Sequence, residues 1–386
     1  MKNFIYANPT KIIFGKGMIT NIAAEIPITS KILILYGGGS IKANGVYDQV
    51  ISALQNHEVL EFSGIEPNPH YETCLKAVEM IKKNDIDFLL AVGGGSVLDA
   101  TKFIAAAAQF VGQNPWDILV KHGNNIETAL PFGAVITLPA TGSEMNSGGV
   151  ITRAATEEKF AFSNAHTFPQ FSVLDPETTY SLPRKQISNG IVDAFVHVVE
   201  QYLTTGTENN LLQDYMAESI LKVLVHEAPT LIQDDHDYES RANFMWAATW
   251  ALNGWIACGV EEDWATHMIG HELTALYGLD HAQTLAIVLP GLLQVMKAQK
   301  SKKISQLGKA IFNIHEENEE HQLDLTIQAI EQFFNSVGVK THLSDYGLNA
   351  ESIMPIVDRF KERAWKLGER ENIAADQVNE ILNLRL

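Results

Sequence analysis

Residues 88–99 read FLLAVGGGSVLD, and this stretch decides the fold class of the first half of the chain. The five apolar residues 88–92 are typical of a strand buried on both faces, and three consecutive glycines end it. An alanine-rich segment, 100–110, follows and predicts a helix. A buried strand, a glycine turn and a helix in immediate succession indicate part of a parallel sheet with helical crossovers.

Two further stretches have the same pattern. Residues 31–36 (KILILY) end at GGGS, residues 37–40, and residues 134–139 (AVITLP) lead into the polar loop TGSEMNSGG, residues 141–149. Short apolar strands that alternate with helices predict a parallel sheet covered on both faces. In such sheets ligands bind outside the carboxyl ends of the strands. We therefore expect all three loops to face a ligand.

The second half of the chain has a different pattern. Residues 186–203, 211–232 and 238–260 carry helical periodicity and few strand signals. The sequence thus predicts an α/β fold class combined with an all-α part: a Rossmann-like parallel-sheet domain over residues 1–181 and an all-helical domain over residues 182–386. The boundary rests on Leu182-Pro183, although Pro183 could equally begin a helix inside one domain.

Composition narrows the class of protein. The 386 residues are 46% hydrophobic and 19% charged, as in packed globular proteins, and the net charge of -18 argues against nucleic acid or an anionic membrane as partner. Only two cysteines occur, Cys74 and Cys258, which excludes a disulfide framework. The first residues lack the apolar core of a signal peptide, and no apolar run is long enough to span a bilayer. A cytoplasmic, soluble enzyme is expected.

The glycine clusters suggest a phosphate-bearing ligand. Glycines let the backbone approach a ligand closely, and the N–H groups at the start of the following helix can bind phosphate oxygens. Gly93-Gly94-Gly95-Ser96 exceeds what a simple turn needs, although it is not the GxGxxG fingerprint. The second cluster, Gly37-Gly38-Gly39-Ser40, is expected to flank the same ligand. Hydroxyls and amides of the loop 141–149 suit a ribose or nicotinamide, whereas Asp99 could simply cap its helix.

Aspartate and histidine side chains in the second half suggest a metal site. Asp193 and His197 are four residues apart in an apolar helical stretch, which places them on one helix face. His267, His271 and His281 follow on further apolar segments. One aspartate and three histidines would supply a first-row divalent cation with four ligands, so one histidine is spare. The order of residues 267–272 (HMIGHE) does not match the HExxH motif, which disfavours a peptidase.

These segments together resemble a known family. In order and spacing, residues 93–99, 138–144 and 193–197 and the later histidines resemble the iron-containing (group III) alcohol dehydrogenases over essentially the whole chain. Residues 36–40, 64–69 and 264–267 look like the NADPH-dependent butanol dehydrogenase and aldehyde reductase branch. The wider family has His-Gly and Pro-His-Gly where His267-Met268 and Asp280-His281-Ala282 stand here, a departure that bears on the subfamily.

The resemblance implies specific roles. It implies a dinucleotide-binding domain, a helical metal-binding domain with the metal in the cleft between them, and a homodimer. The implied metal ligands are Asp193, His197, His267 and His281. The candidate catalytic residues are His267, as a ligand, and His271, beside substrate and cofactor but off the metal. The candidate cofactor-binding residues are Gly37, Gly38, Gly39, Ser40, Asn68, Gly94, Gly95, Ser96, Asp99, Thr137, Thr141, Asn146 and Lys159.

The expected activity is hydride transfer between NADP(H) and a small alcohol or aldehyde, with Fe²⁺ or Zn²⁺ stabilising the alkoxide. We predict NADPH over NADH, because residues 37–39 supply no carboxylate to repel a 2′-phosphate while Ser40 and Lys42 offer donors. A glycerol dehydrogenase or a dehydroquinate-synthase-like lyase on the same scaffold remains an alternative, as does a metal-storing or nucleotide-sensing module without turnover.

Overall fold

The structure is a computed structural model that describes residues 1–206 and 209–386. Contacts within the chain group its residues into two units. The first, which we call the α/β unit, comprises Ala7–Leu182 and Asp235–Thr249. The second, the helical unit, comprises Met1–Tyr6, Pro183–Asp234 and Trp250–Leu386.

The strands are β1 (Lys11–Phe14), β2 (Lys31–Leu35), β3 (Glu58–Phe62), β4 (Phe88–Gly94), β5 (Phe132–Leu138), β6 (Gly148–Arg153), β7 (Glu158–Ser163) and β8 (Phe171–Leu174). The helices are α1 (Ile22–Glu25), α2 (Ser40–Ala43), α3 (Val46–Ala53), α4 (Tyr71–Asn84), α5 (Gly95–Gln109), α6 (Asp117–Val120), α7 (Arg184–Tyr202), α8 (Leu211–Gln233), α9 (Tyr238–Ala251), α10 (Ala265–Tyr277), α11 (His281–Val295), α12 (Lys297–Phe312), α13 (Glu319–Ser336), α14 (Met354–Glu362) and α15 (Ala375–Asn383). Short 3₁₀ turns lie at Met18–Asn21, Ser143–Met145, Ala154–Thr156, Ala165–Thr167, Pro176–Thr179, Leu343–Tyr346 and Ala350–Ser352.

The α/β unit is built on a parallel sheet with the strand order β1-β8-β5-β4-β2-β3. Alternate residues of each strand enter different cores. Leu33 of β2 packs in a core with Phe103 of α5, whereas Ile34 packs in another with Val50 of α3. Burial on both faces explains why these strands are continuously apolar in sequence. The sheet and its covering helices confirm the predicted parallel α/β class.

The order of the strands positions the polar loops. Strands β5, β4 and β2 are neighbours in a parallel sheet, so the loops that follow them leave the same edge. These loops are residues 139–147, the turn from β4 into α5, and residues 36–39. An antiparallel hairpin of β6 and β7 follows the first of them. The three loops that the sequence singled out are thus neighbours in space.

The helical unit consists of helices that pack against one another through buried apolar side chains. Helix α7 packs against α8 and α11, and α10 packs against α11. Phe195 of α7 contacts Phe333 and Phe334 of α13, with ring centroids 5.2 and 5.5 Å apart. Apolar side chains nearly all around α7 and α11 explain their burial.

Two predicted helices have different bounds in the structure. Helix α5 begins at Gly95 rather than at residue 100, so Asp99 lies inside the helix and does not cap it. Helix α9 ends at Ala251 rather than at residue 260, and Gly254 then adopts the left-handed conformation (φ 84°) that interrupts the helix.

Two segments lie across the predicted boundary at residues 181/182. Most of α9 belongs to the α/β unit, where Trp246 stacks edge-on against Phe14 at 5.8 Å and Thr249 donates a hydrogen bond to Glu144. Met1–Tyr6 belongs to the helical unit, where the Lys2 amide donates to the Gly259 carbonyl at 2.9 Å. Long-range contacts of this kind leave no periodic signal in the sequence.

No helix within the described residues has the length and apolar character required to cross a membrane.

Candidate metal centre and cofactor loops

Three helices of the helical unit bring the predicted metal ligands together. Asp193 and His197 lie one turn apart on α7, His267 lies near the start of α10, and His281 is the first residue of α11. Asp193, His197 and His267 are buried, and the His281 side chain is 25% exposed. The four residues thus form a cluster with one partly open side, as expected for a site that a small ligand can reach.

The geometry centres on one carboxylate oxygen. Oδ1 of Asp193 lies 3.6 Å from Nε2 of His197, 4.0 Å from Nε2 of His267 and 3.7 Å from Nε2 of His281. These distances exceed a hydrogen bond. Ligand atoms bound to one tetrahedral ion at about 2.0–2.2 Å would lie roughly 3.3–3.6 Å apart. The side chains therefore converge at nearly the spacing that a shared divalent cation requires.

Asp193 supports this fit. Its Oδ1 atom is buried and accepts no hydrogen bond from any described residue. A buried carboxylate oxygen without a hydrogen bond is costly unless a cation compensates it. The nitrogen and oxygen donor set suits both Fe²⁺ and Zn²⁺.

A carboxylate that the sequence reasoning missed orients one of the histidines. Glu200 of α7 contacts Nδ1 of His267, and its other oxygen accepts the Thr266 amide at 2.6 Å. A carboxylate on Nδ1 directs Nε2 towards an ion. Burial, followed by repulsion from Asp263, raises the pKa of Glu200 well above its usual range. The sequence spacing of Glu200 could have revealed this role, because Asp193, His197 and Glu200 lie at positions i, i+4 and i+7 and so share one helix face.

The positions of His267 and His281 depend on how α10 meets α11. A Cβ atom on Gly270 would lie 2.7 Å from Oγ1 of Thr284, so only glycine allows this close approach. Asp280 caps α11 directly before His281 and also contacts Lys185 at 2.7 Å and Asn189 at 3.1 Å, both on α7. His281 is therefore held against α7 by its neighbour in sequence.

His271 lies one turn after His267 on α10. Its ring centroid lies 5.4 Å from that of His281 and 6.5 Å from that of His267, and its side chain is buried. Among the described residues, ligand atoms of Asp193, His197 and His267 all lie within 4.8 Å of one another, and neither His271 nor His281 belongs to this group. His281 differs from His271 in that its Nε2 lies 3.7 Å from Oδ1 of Asp193. The next residue, Glu272, is held by Arg363 at 2.6 Å and Arg359 at 3.0 Å.

The glycine clusters of the α/β unit differ in their surroundings. A Cβ on Gly95 would lie 2.6 Å from the Thr141 side chain, and a Cβ on Gly93 would lie equally close to Val97. A Cβ on Gly38 would meet nothing within 4 Å. Gly93 and Gly95 are thus required for packing, whereas no described residue lies close enough to require a glycine at position 38. An open glycine at a strand end leaves its backbone accessible to a ligand.

The remaining cofactor-site candidates cluster around the loop after β5. Thr137 is buried on β5, and Oγ1 of Thr141 accepts the Ser143 amide at 3.2 Å. Lys159 of β7 donates to Oδ1 of Asn68 at 2.8 Å. Asn68 adopts a left-handed conformation (φ 56°), which asparagine tolerates better than most residues.

A buried lysine that the sequence reasoning missed organises this loop. Lys102 of α5 is fully buried, and its Nζ donates to Ser143 Oγ, Asn146 Oδ1 and the Gly148 carbonyl at 2.7–2.8 Å. Asp99 accepts hydrogen bonds from Ser143 Oγ at 2.8 Å and the Val150 amide at 3.0 Å. The pattern Asp99-x-x-Lys102 in an apolar helix was the available signal.

Lys42, which was expected to contribute charge beside Ser40, is paired. Its Nζ lies 3.1 Å from Oε2 of Glu61 and over the Tyr47 ring at 4.4 Å. Tyr36 and Tyr47 both donate to the same carboxylate. Burial acts to raise the pKa of Glu61, but the hydrogen bonds from Tyr47, Tyr36 and Lys42 outweigh it and lower the pKa. Residues 37–40 carry no carboxylate themselves, and the carboxylate that pairs with Lys42 comes from Glu61 near the end of β3.

Comparison with known proteins places the chain in a family. Residues 9–176 match the iron-containing alcohol dehydrogenase family, and residues 187–386 match the C-terminal part of the Fe-containing alcohol dehydrogenase family. The chain is 52% identical over 383 residues to the NADPH-dependent aldehyde reductase YqhD of Escherichia coli K12, with 99% of each chain covered. It therefore belongs to the iron-containing alcohol dehydrogenase family, as its motifs predicted.

Solved structures agree. The crystal structure of Escherichia coli K-12 YqhD matches with a TM-score of 0.98 and 50% identity, covering 100% of this chain and 99% of that chain. NADH-dependent butanol dehydrogenase A of Thermotoga maritima matches with a TM-score of 0.94 and 39% identity, over 100% and 99% of the two chains. The fold class and the oxidoreductase class predicted from the sequence are confirmed. Relatives whose names specify NADPH and NADH share this fold.

Proposed function

We propose that the protein is a metal-dependent, NADP(H)-linked aldehyde reductase and alcohol dehydrogenase for small primary alcohols and aldehydes of the butanol and butanal type. The observation that supports this most strongly is the convergence of three imidazole Nε2 atoms on Oδ1 of Asp193, at 3.6–4.0 Å. Membership in the iron-containing alcohol dehydrogenase family supports it independently.

In this proposal Asp193, His197, His267 and His281 hold one Fe²⁺ or Zn²⁺ ion. A divalent cation at this position supplies Lewis acidity to a carbonyl oxygen. Glu200 holds His267 in the orientation that presents Nε2, and Asp280 holds His281 at the start of α11. His271 lies off the metal and faces the substrate. We place the entry of the substrate at His281, because its side chain is partly exposed.

We assign the nucleotide to a functional domain of residues 1–181, which holds the parallel sheet, and the metal to a functional domain of residues 182–386, which holds the ligand helices. A nicotinamide cofactor supplies the hydride. Gly94, Gly95, Ser96 and the start of α5 would bind the pyrophosphate, with Asp99 nearby on the same helix. The ribose and nicotinamide side would be lined by Asn68, Thr137, Thr141, Asn146 and Lys159.

The preference for NADPH is part of the proposal. Gly37, Gly38, Gly39 and Ser40 carry no carboxylate, and the open backbone at Gly38 could accept a 2′-phosphate. The relative named as an NADPH-dependent aldehyde reductase is 52% identical, whereas two relatives named as probable NADH-dependent butanol dehydrogenases are 41% and 42% identical. The pairing of Lys42 with Glu61 makes the loop rather than the lysine the principal binding element.

We further propose that the protein acts in the cytoplasm as a homodimer. Both cysteines are free and buried, which suits a reducing compartment. Near the N-terminus Ile5 is fully exposed and Phe4 is 50% exposed, and exposed apolar side chains in proximity favour association. Light scattering on the purified protein at several concentrations tests the dimer, and a monomer at all of them would contradict it.

One experiment tests the activity. Purified protein is analysed for bound iron and zinc, and the consumption of NADPH and NADH is measured with a panel of aldehydes. We expect about one metal ion per chain and oxidation of NADPH with short aldehydes at pH 7. Alcohol oxidation releases a proton, so its rate should rise with pH. A lyase would leave the cofactor unchanged overall, and a binding module would show no turnover; either result contradicts the proposal.

A further inference from the structure

Lys102 is an unusual residue for its position. The buried length of helix α5 is mostly apolar, with Leu98, Phe103 and Ile104 entirely inaccessible, and Lys102 has no exposed surface either. Burying an ammonium group is costly unless its donors are all satisfied. Its three acceptors, Ser143 Oγ, Asn146 Oδ1 and the Gly148 carbonyl, match the three N–H groups of a charged lysine.

Two of the acceptors, Ser143 and Asn146, lie in the loop between β5 and β6, and the third, Gly148, is the first residue of β6. Asn146 also accepts the Gly148 amide at 3.0 Å and donates to the Gly142 carbonyl at 2.9 Å, so the segment is closed on itself around the ammonium. Asp99, one turn before Lys102, holds the same segment through Ser143 and Val150. Helix α5 is therefore tied to this loop at two successive turns.

The two ends of this connection have different proposed tasks. Helix α5 begins at the glycines assigned to the pyrophosphate, and the loop carries Thr141 and Asn146, assigned to the ribose and nicotinamide side. At the start of the helix, Gly95 lies so close to Thr141 that a Cβ would not fit. Rigid spacing between two groups that bind the same ligand lowers the entropy lost on binding.

We propose that Lys102 is a positioning residue for the dinucleotide: its ammonium locks the loop 141–149 against α5, so that the pyrophosphate and nicotinamide halves of the site keep a fixed spacing. This inference rests on the proposed function. Lys102 itself is buried beneath the loop and touches neither cofactor nor substrate.

The charge of Lys102 gives the proposal a measurable signature. Burial lowers the pKa of Lys102 to about 8, partly opposed by Asp99 and Glu144. Asp99 lies on the same helix, Glu144 on the loop and Lys159 on β7, where it acts on Asp99. Below this pKa the ammonium satisfies all three acceptors. Above it a neutral amine has only two N–H groups, one acceptor is lost, and the loop loosens.

The test measures NADPH binding by fluorescence titration in the wild type, Lys102→Met and Lys102→Arg, with metal content and Tm alongside. For Lys102→Met we expect unchanged metal content and a Kd for NADPH raised about tenfold or more. In the wild type Kd should rise between pH 7 and pH 9.5. The Lys102→Arg variant keeps a positive charge at this position throughout the pH range. Its Kd for NADPH at pH 7 should therefore be close to that of the wild type, and this Kd should depend less on pH.

Lys303→Met is the matched control, because Lys303 is a buried lysine of the helical unit paired with Asp214 at 2.5 Å. It should lower Tm without changing the Kd for NADPH or its pH dependence. If Lys102→Met behaves like this control, with a lower Tm but an unchanged Kd for NADPH, the proposal is wrong. If Lys102→Met does not fold, a wild-type Kd that is flat across this pH range overturns it. A wild type that binds neither NADPH nor NADH would overturn the proposed function, and this inference with it.

Discussion

The helical unit and the α/β unit build their candidate sites in opposite ways. In the helical unit the chemistry lies in side chains that project from the interiors or first turns of long helices. Two of them are held by neighbouring carboxylates: the buried Glu200 contacts His267, and the partly exposed Asp280 holds His281 at the start of α11. In the α/β unit the candidate groups are mostly backbone amides and small polar residues in loops after strands, supported from below by Asp99 and Lys102.

This difference indicates what each site can tolerate. A metal centre needs every ligand within a few tenths of an ångström, so removing one side chain should abolish it. A dinucleotide is bound by many weak contacts, so changing one should shift selectivity and affinity by degrees. Substitutions in the helical unit should therefore have steep effects, and substitutions in the cofactor loops graded ones.

The largest effect is expected from His281→Ala. It removes one of the imidazoles around Oδ1 of Asp193 and opens the cluster at its exposed side. Bound metal should fall below a tenth of the wild-type content, and kcat/KM for aldehyde reduction should fall by more than about a hundredfold. Elemental analysis and steady-state kinetics measure both. His271→Ala is the matched control and should keep its metal; full metal and turnover in His281→Ala would show that the ligand set is wrong.

Glu200→Gln should have the next largest effect. The amide keeps the size of the side chain but cannot offer His267 a carboxylate, so metal affinity should fall by about 10–100-fold. Competition with a chelator measures this affinity. Glu272→Gln provides the control, because Glu272 is equally buried on α10 but pairs with Arg359 and Arg363. It should lower Tm and leave metal affinity unchanged, and equal losses in both variants would refute a specific role for Glu200.

Gly38→Asp tests the graded side of the comparison. The new side chain fits without a clash, because a Cβ at Gly38 meets nothing within 4 Å. A carboxylate there should repel a 2′-phosphate, lowering the NADPH to NADH ratio of kcat/KM by about tenfold or more. Gly38→Asn has the same shape without the charge and should change the ratio little. An unchanged ratio in Gly38→Asp, or a wild type that already prefers NADH, would contradict the NADPH assignment.

Glu61→Gln should have the smallest effect and the opposite sign. Glu61 holds Lys42 by an exposed ion pair that contributes little. Without the carboxylate, Lys42 is released and one negative charge near the loop is lost, so kcat/KM with NADPH should rise a few-fold while that with NADH stays constant. Tyr47→Phe removes a hydrogen bond to Glu61 but leaves the ion pair, and should change neither. A fall with NADPH in Glu61→Gln would mean that Glu61 orients Lys42 productively.

Much of the architecture could be predicted because local patterns encode it. Continuously apolar runs such as residues 32–35 correspond to strands buried on both faces, and Asp193 and His197 are brought together by helical periodicity alone. The extent of α9 was overestimated because its periodicity continues past Ala251, where Gly254 breaks the backbone. Asp99 was interpreted as a possible cap because the predicted helix began at residue 100, directly after it. Glycine disfavours helix, so the sequence did not indicate that α5 already begins at Gly95.

The sequence by itself determined the family, the two kinds of secondary structure and the residue types available for a metal and a dinucleotide, because motifs and periodicity are local. Only the tertiary structure decided which nitrogen atoms face Asp193, that Glu200 supports His267, and that Lys102 reaches the loop after β5. These arrangements join segments 40 or more residues apart, such as Lys102 and Ser143 or Glu200 and His267. Their geometry depends on how whole helices and strands pack, which no pattern within one segment records.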